Sequence, residues 1–310
     1  MFATVQIPWY NKLSFKTRFH DANPGRKYVS ICGGIQRMNR LFRLMLAILF
    51  LAGCAGVKMI TVRPKESNET LINPGRGFAS SFRFNDEMQG VLHPHCTVAQ
   101  FSFYWDELEP VDGEINFGFL DSLLSRARIN GQKLNFRVMC QNGRVGVPQW
   151  LRDEGLKGHP YPDGSGWQPE YDDPLFLEKH SRLIRSLAER YDGHPDIDCI
   201  DIASLGRWGE WHTWETGDTM PSKVLQQKIT DLYLESFRTT PLVMQIGGGE
   251  MLARAVKGGA GWRADCFGDM GEDSAQWSHM RSFYQQALDA ADASLAWKNG
   301  PVVFESCWTM

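Results

Sequence analysis

From about residue 72 onward the chain alternates two hydrophobic patterns. Short runs rich in β-branched and aromatic residues fall at 77–84, 98–105, 134–140, 197–204, 242–246, 265–268 and 302–304. Their length and near-continuous apolar character predict strands buried on both faces. Between them, apolar residues recur every three or four positions at 119–129, 174–191, 222–237, 251–256 and 278–297, which predicts amphipathic helices. Asn130-Gly131 and Asp192-Gly193 close the first two. Strands separated by helices of this length predict parallel βα units. The expected fold class is α/β, a (β/α)8 TIM barrel. The competing doubly wound open sheet usually carries a glycine-rich G-x-G-x-x-G or P-loop after its first strand, and none is present. Gly247-Gly248-Gly249 lacks that spacing and reads as a tight βα turn. Met310 comes five residues after Glu305, so seven of eight βα units are expected, with the seventh strand as an exposed edge.

The pattern before residue 72 is different. Leu44 to Ala52 is uninterruptedly apolar, about half of what crosses a bilayer. Arg37, Arg40 and Arg43 precede or open it, and Leu51-Ala52-Gly53-Cys54 follows, the order of a secretory signal ending in a bacterial lipobox. This predicts a start-site artefact or disordered leader over 1–37, a lipoprotein signal peptide over 38–53, lipidation of Cys54, a tether over 54–71 and the barrel over 72–310. The expected location is the bacterial cell envelope, with the membrane reached through the lipid at Cys54.

Charge changes the picture once it is divided the same way. The 33 Lys+Arg and 36 Asp+Glu look balanced, but residues 1–53 hold eight basic residues against Asp21 alone. From Cys54 onward 25 basic face 35 acidic residues, which disfavours nucleic acid as a partner. Seven cysteines include no C-x-x-C pair. Cys140, Cys199, Cys266 and Cys307 lie in apolar runs and are read as buried core thiols. His93-Pro94-His95-Cys96 is the one metal-like spacing and lacks a second ligand pair, so neither metal nor cofactor is expected.

In a barrel, reactive groups sit just after each strand. The fourth run leads into Gly206-Arg207-Trp208-Gly209-Glu210-Trp211-His212, a carboxylate framed by indoles, with Trp214 beyond. Desolvation by those rings is expected to raise the pKa of Glu210, as a general acid needs. Glu305 follows Val302-Val303-Phe304 directly. Together they make a two-carboxylate site of the glycosidase type. Arg76, just before the first run, and Trp105, Asn142, Arg207, Trp208, Trp211, His212, Asp269 and Trp308, at or after strand ends, are candidate sugar contacts, by hydrogen bonding or aromatic stacking.

Trp105-Asp106-Glu107-Leu108-Glu109-Pro110, continued by Gly113, Phe117 and Leu120-Asp121, resembles the W-x-x-L-E-P-x-x-G-x-y-x-F-x-x-L-D segment of clan A glycoside hydrolases, particularly the family 42 β-galactosidase type. Pro148-Gln149-Trp150-Leu151 is similar to their P-x-W-L. Asn73-Pro74-Gly75-Arg76-Gly77-Phe78 and G-x-W-G-E-W-H resemble bacterial lipoproteins carrying domain of unknown function 4832. The resemblance implies a retaining hydrolase of an extracytoplasmic poly- or oligosaccharide, with Glu210 as acid/base and Glu305 as nucleophile. Clan A members usually carry Asn before the acid/base, and here Gly209 stands there. The alternative is a carbohydrate-binding lipoprotein with an inactive or truncated glycosidase-like barrel. A purely structural envelope lipoprotein leaves the tryptophan-framed acid unexplained.

Overall fold

The computed structural model describes residues 66, 76–88 and 95–307 except 215 and 274. Apart from Glu66, these fall in one compact unit, Thr70–Met310. The predicted signal peptide, Cys54 and Trp308 lie outside the described residues.

Seven strands form one parallel sheet in chain order: β1 Phe78–Ser81, β2 Cys96–Tyr104, β3 Lys133–Met139, β4 Ile197–Asp201, β5 Leu242–Gln245, β6 Gly261–Ala264 and β7 Val302–Phe304. The principal helices are α1 Phe117–Ile129, α2 Pro174–Tyr191, α3 Lys223–Ser236, α4 Glu250–Lys257 and α5 Gln285–Ala290. Each lies in the crossover between two consecutive strands, from β2 through β7. The sheet curls into an incomplete (β/α)8 barrel surrounded by helices. Among the described residues β1 pairs only with β2, and β7 only with β6.

Local sequence accounts for the helix boundaries. Asn116 caps α1 by accepting from the Phe119 backbone N–H. Asp173 caps α2 through Leu175 N–H, with Pro174 at the first helical position, and Ser222 caps α3 through Leu225 N–H. The inward faces supply Leu183, Ile184 and Leu187 from α2 and Ile229 and Tyr233 from α3, all essentially inaccessible. Burying each such side chain contributes about 1.5–3 kcal/mol.

Three expectations need correction. The sixth strand lies at Gly261–Ala264, not 265–268; Arg263 breaks the apolar pattern there, yet its side chain is buried against carboxylates. The helix expected over 278–297 is a π-helical segment, His279–Tyr284, then α5, then a short helical turn, Ala296–Lys298. Cys266 and Cys307 are not core thiols: the loops after β6 and β7 bring their Cα atoms to 4.5 Å and they form a disulfide. Cys140 and Cys199 are buried thiols as expected. A small antiparallel hairpin, Gly158–Pro160 with Trp167–Pro169, was not foreseen.

Candidate active site

The strand register sets up the site. Ser102 on β2 and Asp201 on β4 both flank Arg137 of β3, while Arg263 of β6 lies beside Gln245 of β5. Arg137 and Arg263 are thus two cations inside a sheet that is otherwise largely apolar, near the end of the strands from which the βα loops emerge. A guanidinium keeps its charge even when buried, so its burial there is tolerable only when carboxylates pair with it.

Those carboxylates are Asp201, Glu210 and Glu305. Arg137 donates from Nη1 to Glu210 Oε1 at 3.0 Å and from Nη2 to Glu305 Oε2 at 3.1 Å. Arg263 donates from Nη2 to the same Glu210 oxygen at 3.1 Å and from Nη1 to the same Glu305 oxygen at 3.2 Å. Its Nε donates to Asp201 Oδ2, and Arg137 Nε donates to Ser102 Oγ at 2.8 Å. Two guanidiniums therefore bridge two carboxylates that are 95 positions apart in the chain. Burial alone would lower the Arg263 pKa, but the three carboxylates outweigh it and raise it. Burial pushes Asp201 up against the pull of both arginines.

The expected rise in the Glu210 pKa is overturned. Burial does push it upward, but the His212 imidazole and the Arg263 and Arg137 guanidiniums prevail and hold it down to about 2. The sequence shows indoles nearby and does not show which cations the barrel delivers to them. His212 Nε2 lies 3.6 Å from Glu210 Oε2, while its Nδ1 accepts from the Trp214 backbone N–H at 3.2 Å.

The Glu210 loop is folded back tightly. Arg207 N–H donates to His212 C=O at 2.8 Å, and Trp211 N–H to Leu205 C=O at 3.1 Å. Trp208 and Trp211 take positive φ of 57° and 60°, a conformation that costs non-glycine residues energy and concentrates at functional loops. Gly209, at φ 71°, admits no side chain, because a Cβ would stand 2.1 Å from the Ala203 carbonyl oxygen. The loop has no room for the asparagine of clan A at this position.

Glu210 and Glu305 open onto a cavity of about 880 Å³ whose walls include Arg137, Asn142, Trp208, His212, Trp214 and Trp277. Of the candidates named from the sequence, Asn142, Trp208 and His212 line this cavity. Others do not. Trp105 is fully buried, donating Nε1–H to Glu109 at 2.8 Å, so it is core and not a sugar platform. Trp211 is buried with Nε1–H donated to Ile202 C=O. Arg76 is exposed at the start of β1, away from the strand ends that carry the cavity. Arg207 lies over the Trp208 ring at 4.3 Å and does not line the cavity. Asp269 bonds His279, which does line it. Arg137 and Arg263 were missed, as were Gln245, Asp265 and His279. A charged residue at the centre of a strand with both faces covered was the available signal for the two arginines. Asp265, Cys266 and Cys307 cluster closely, but the disulfide removes both sulfurs as metal ligands.

Residues 83–204 match the glycoside hydrolase family 42 profile, described as beta-galactosidase. Beta-galactosidase Pbg of Clostridium perfringens is 30% identical over 111 residues, covering 32% of this chain. The matched part spans only 15% of that protein's length. The barrel is glycoside-hydrolase-like. Among solved structures it is similar to the catalytic domain of beta-amylase from Paenibacillus polymyxa, with TM-score 0.48 and 10% identity over 70% of this chain and 80% of that one. It is also similar to beta-galactosidase from the psychrophilic Marinomonas ef1, with TM-score 0.42 and 11% identity over 61% and 40%. The family match contains β2, β3 and β4 and ends before Glu210, so it extends to neither carboxylate.

Proposed function

We propose that this barrel is a retaining glycoside hydrolase that takes an extracytoplasmic poly- or oligosaccharide into the cavity, with Glu305 as nucleophile and Glu210 as the opposing carboxylate. The observation that carries the reading is the bridging of Glu210 and Glu305 by the same two guanidiniums at one cavity mouth. Arg137 and Arg263 fix Glu305 Oε2, which leaves Oε1 to attack the anomeric carbon. By its place after the fourth strand Glu210 is the acid/base. Its depressed pKa means that it takes up a proton only once the entering sugar has drawn it away from Arg137 and Arg263. The family 42 match makes β-galactosides the first substrates to test.

A second reading, sugar binding without cleavage, is favoured by that same pKa. The test is turnover of aryl glycosides by the full chain beside Glu305→Gln and Glu210→Gln. The hydrolase reading expects Glu305→Gln to lose at least about 10⁴-fold in turnover while still binding sugar. Sugar binding with no turnover in the unaltered chain selects the second reading, and no binding at all defeats both.

The N-terminal reading is part of the proposal: leader 1–37, signal peptide 38–53, tether 54–71, barrel 72–310 and a lipid anchor at Cys54. No helix among the described residues is long and apolar enough to cross a membrane. The Cys266–Cys307 disulfide suits an oxidising compartment outside the cytoplasm. Palmitate labelling of the expressed chain should be lost in Cys54→Ser, and equal labelling of both would remove the anchor.

A further inference from the structure

Glu210 and Glu305 hang from the barrel in different ways. β4 lies between β3 and β5, and the loop after it is pinned by its own backbone bonds, Arg207 N–H to His212 C=O and Trp211 N–H to Leu205 C=O. Glu305 follows β7, a short strand that pairs in register with Trp262, Arg263 and Ala264 of β6 and, among the described residues, with no strand on its other side. Two backbone bonds carry the pairing a little further: Glu305 N–H donates to Ala264 C=O and Phe267 N–H to Glu305 C=O, both at 2.9 Å. A short strand supported on one side opens locally at little cost. Arg137 and Arg263 do not remove that freedom. They hold Oε2, whereas the attacking oxygen is Oε1, whose reach depends on where the Glu305 backbone lies.

The remaining tie is covalent. Cys266 is the second residue after β6, Cys307 the second after Glu305, and their disulfide spans 41 positions of sequence with both residues on the cavity wall. The β6 end of this bridge is well anchored. Gln245 of β5 donates Nε2–H to Asp265 Oδ1 at 2.9 Å, and Tyr284 donates its O–H to the Asp265 carbonyl. A carboxylate oxygen of Asp265 lies within 4.8 Å of both sulfurs. The disulfide therefore passes the anchorage of Asp265 on to the loose end that carries Glu305. Cys266 is buried and Cys307 is exposed, which leaves the bond open to a thiol from solvent on the Cys307 side.

We propose that the Cys266–Cys307 disulfide is the positioning device for Glu305 and places this site under thiol control. The proposal rests on the hydrolase reading, with Glu305 as nucleophile and Glu210 as acid/base. A dithiol is the reductant. Its thiolate attacks Cys307 Sγ, the S–S bond breaks, and Cys266 leaves as a thiolate that takes a proton. The second thiol of the reductant then attacks the mixed disulfide, Cys307 leaves and is protonated, and the reductant departs as a cyclic disulfide. Two electrons and two protons have passed to the two cysteines. The β7 end is then held by noncovalent contacts alone, and Oε1 loses its fixed distance to the anomeric carbon. A small-molecule disulfide reverses the change. In a reducing compartment the chain is a poor catalyst, and in an oxidising one it is competent.

The experiment follows turnover of 2,4-dinitrophenyl β-galactoside by the full chain in three states: oxidised, reduced with dithiothreitol, and reoxidised with glutathione disulfide. The Cys266→Ser/Cys307→Ser double variant is run beside it. The dinitrophenyl group departs without a proton, so its release does not depend on Glu210, and each step of a retaining cycle makes or breaks the bond to Glu305. Reduction should lower kcat about 10- to 100-fold, the cost of misplacing a reacting group by up to about 1 Å, while KM stays within about 3-fold. Reoxidation should restore kcat. The double variant should have the low kcat and respond to neither reagent, which separates this pair from the buried thiols Cys96, Cys140 and Cys199. Tryptophan fluorescence gives the folded fraction in each state. An unchanged kcat on reduction overturns the proposal, and so does a rise in KM alone. A fall in kcat no larger than the fall in folded fraction also overturns it, because the disulfide then only holds the fold together. In those outcomes the oxidised chain still turns over and the hydrolase reading stands. Absence of turnover in the oxidised, unaltered chain defeats that reading and this one with it.

Discussion

Two arginine–carboxylate clusters sit beside tryptophans in this barrel, one around Glu109 and one around Glu210 and Glu305. The Glu109 carboxylate is closed: Oε2 accepts Trp105 Nε1–H at 2.8 Å, and Oε1 accepts Gly113 N–H at 2.9 Å and an N–H of Arg182. Its side chain has no solvent exposure. Its backbone carbonyl also accepts Trp150 Nε1–H at 2.9 Å, so the W-x-x-L-E-P and P-x-W-L segments lock one another in place. At the mouth the same chemistry is left open. Glu305 keeps a third of its side chain exposed, and both carboxylates border the cavity. A carboxylate whose oxygens are all taken by fixed donors builds the loop, and one with an oxygen facing a cavity can meet a substrate.

The largest expected effect breaks or upholds that distinction directly. Glu109→Ala leaves the Trp105 and Gly113 N–H groups and Arg182 without their shared acceptor, and should lower unfolding stability by about 3–5 kcal/mol. Glu305→Gln should change it by no more than about 1 kcal/mol, because its partners keep Glu210 and water. Urea unfolding measures both. Equal losses would make the mouth cluster structural as well.

Acid separates the two regions by a smaller amount. His180 stacks on Phe176 at 5.3 Å and meets Trp105 edge-on, on the Glu109 side of the barrel. Burial lowers its pKa to about 3 from the ordinary 6.5. The folded state therefore refuses a proton that the unfolded chain accepts, so the stability associated with neutral His180 is complete above pH 6.5 and is lost as pH falls toward 3. This amounts to about 2 kcal/mol between pH 8 and pH 5. Glu210, held down to about 2 from 4.5, contributes stability that is complete above pH 4.5 and lost only below it. His180→Leu should flatten the stability profile between pH 8 and pH 5 and leave the decline below pH 4.5 unchanged. A wild-type-like slope in the upper range would show that another group titrates there.

The contrast also explains what the sequence could reveal. Strand and helix positions were readable because α2 and β7 follow simple periodicities and begin at ordinary caps or apolar runs; α2 spans Pro174–Tyr191 as expected. The error at the sixth strand arose because Arg263 reads as an interruption of the apolar run instead of as its inward-facing residue, whereas Arg137 lies inside the expected third strand and its charge there was the unused signal. Trp105 was misassigned for the opposite reason. It stands at a strand end, where an indole can stack on a ligand, but Glu109 four positions later captures its N–H and turns it into the core. Linear spacing shows which side chains share an element. It does not show that Arg137 and Arg263, from strands three places apart in the sheet, close on one pair of carboxylates.

The smallest expected effect concerns the tryptophans on the two sides. Trp214 is 62% exposed on the cavity wall, its ring 6.4 Å from that of Trp208 and 5.7 Å from the Arg207 guanidinium carbon. A sugar face stacked on an indole gains about 0.5–1.5 kcal/mol if it behaves like other aromatic pairs. Trp214→Ala should therefore weaken binding of an oligosaccharide about 2- to 12-fold, while unfolding stability moves by less than about 0.5 kcal/mol, as for most surface changes. Trp105→Ala, by contrast, empties a fully buried site and should cost about 3–5 kcal/mol. Calorimetric titration with the sugar, run beside urea unfolding, reads both quantities on the same two variants. If Trp214→Ala binds sugar as well as the unaltered chain, the exposed indole is not part of the binding surface and the ligand must be held deeper, among Asn142, His212 and the carboxylates.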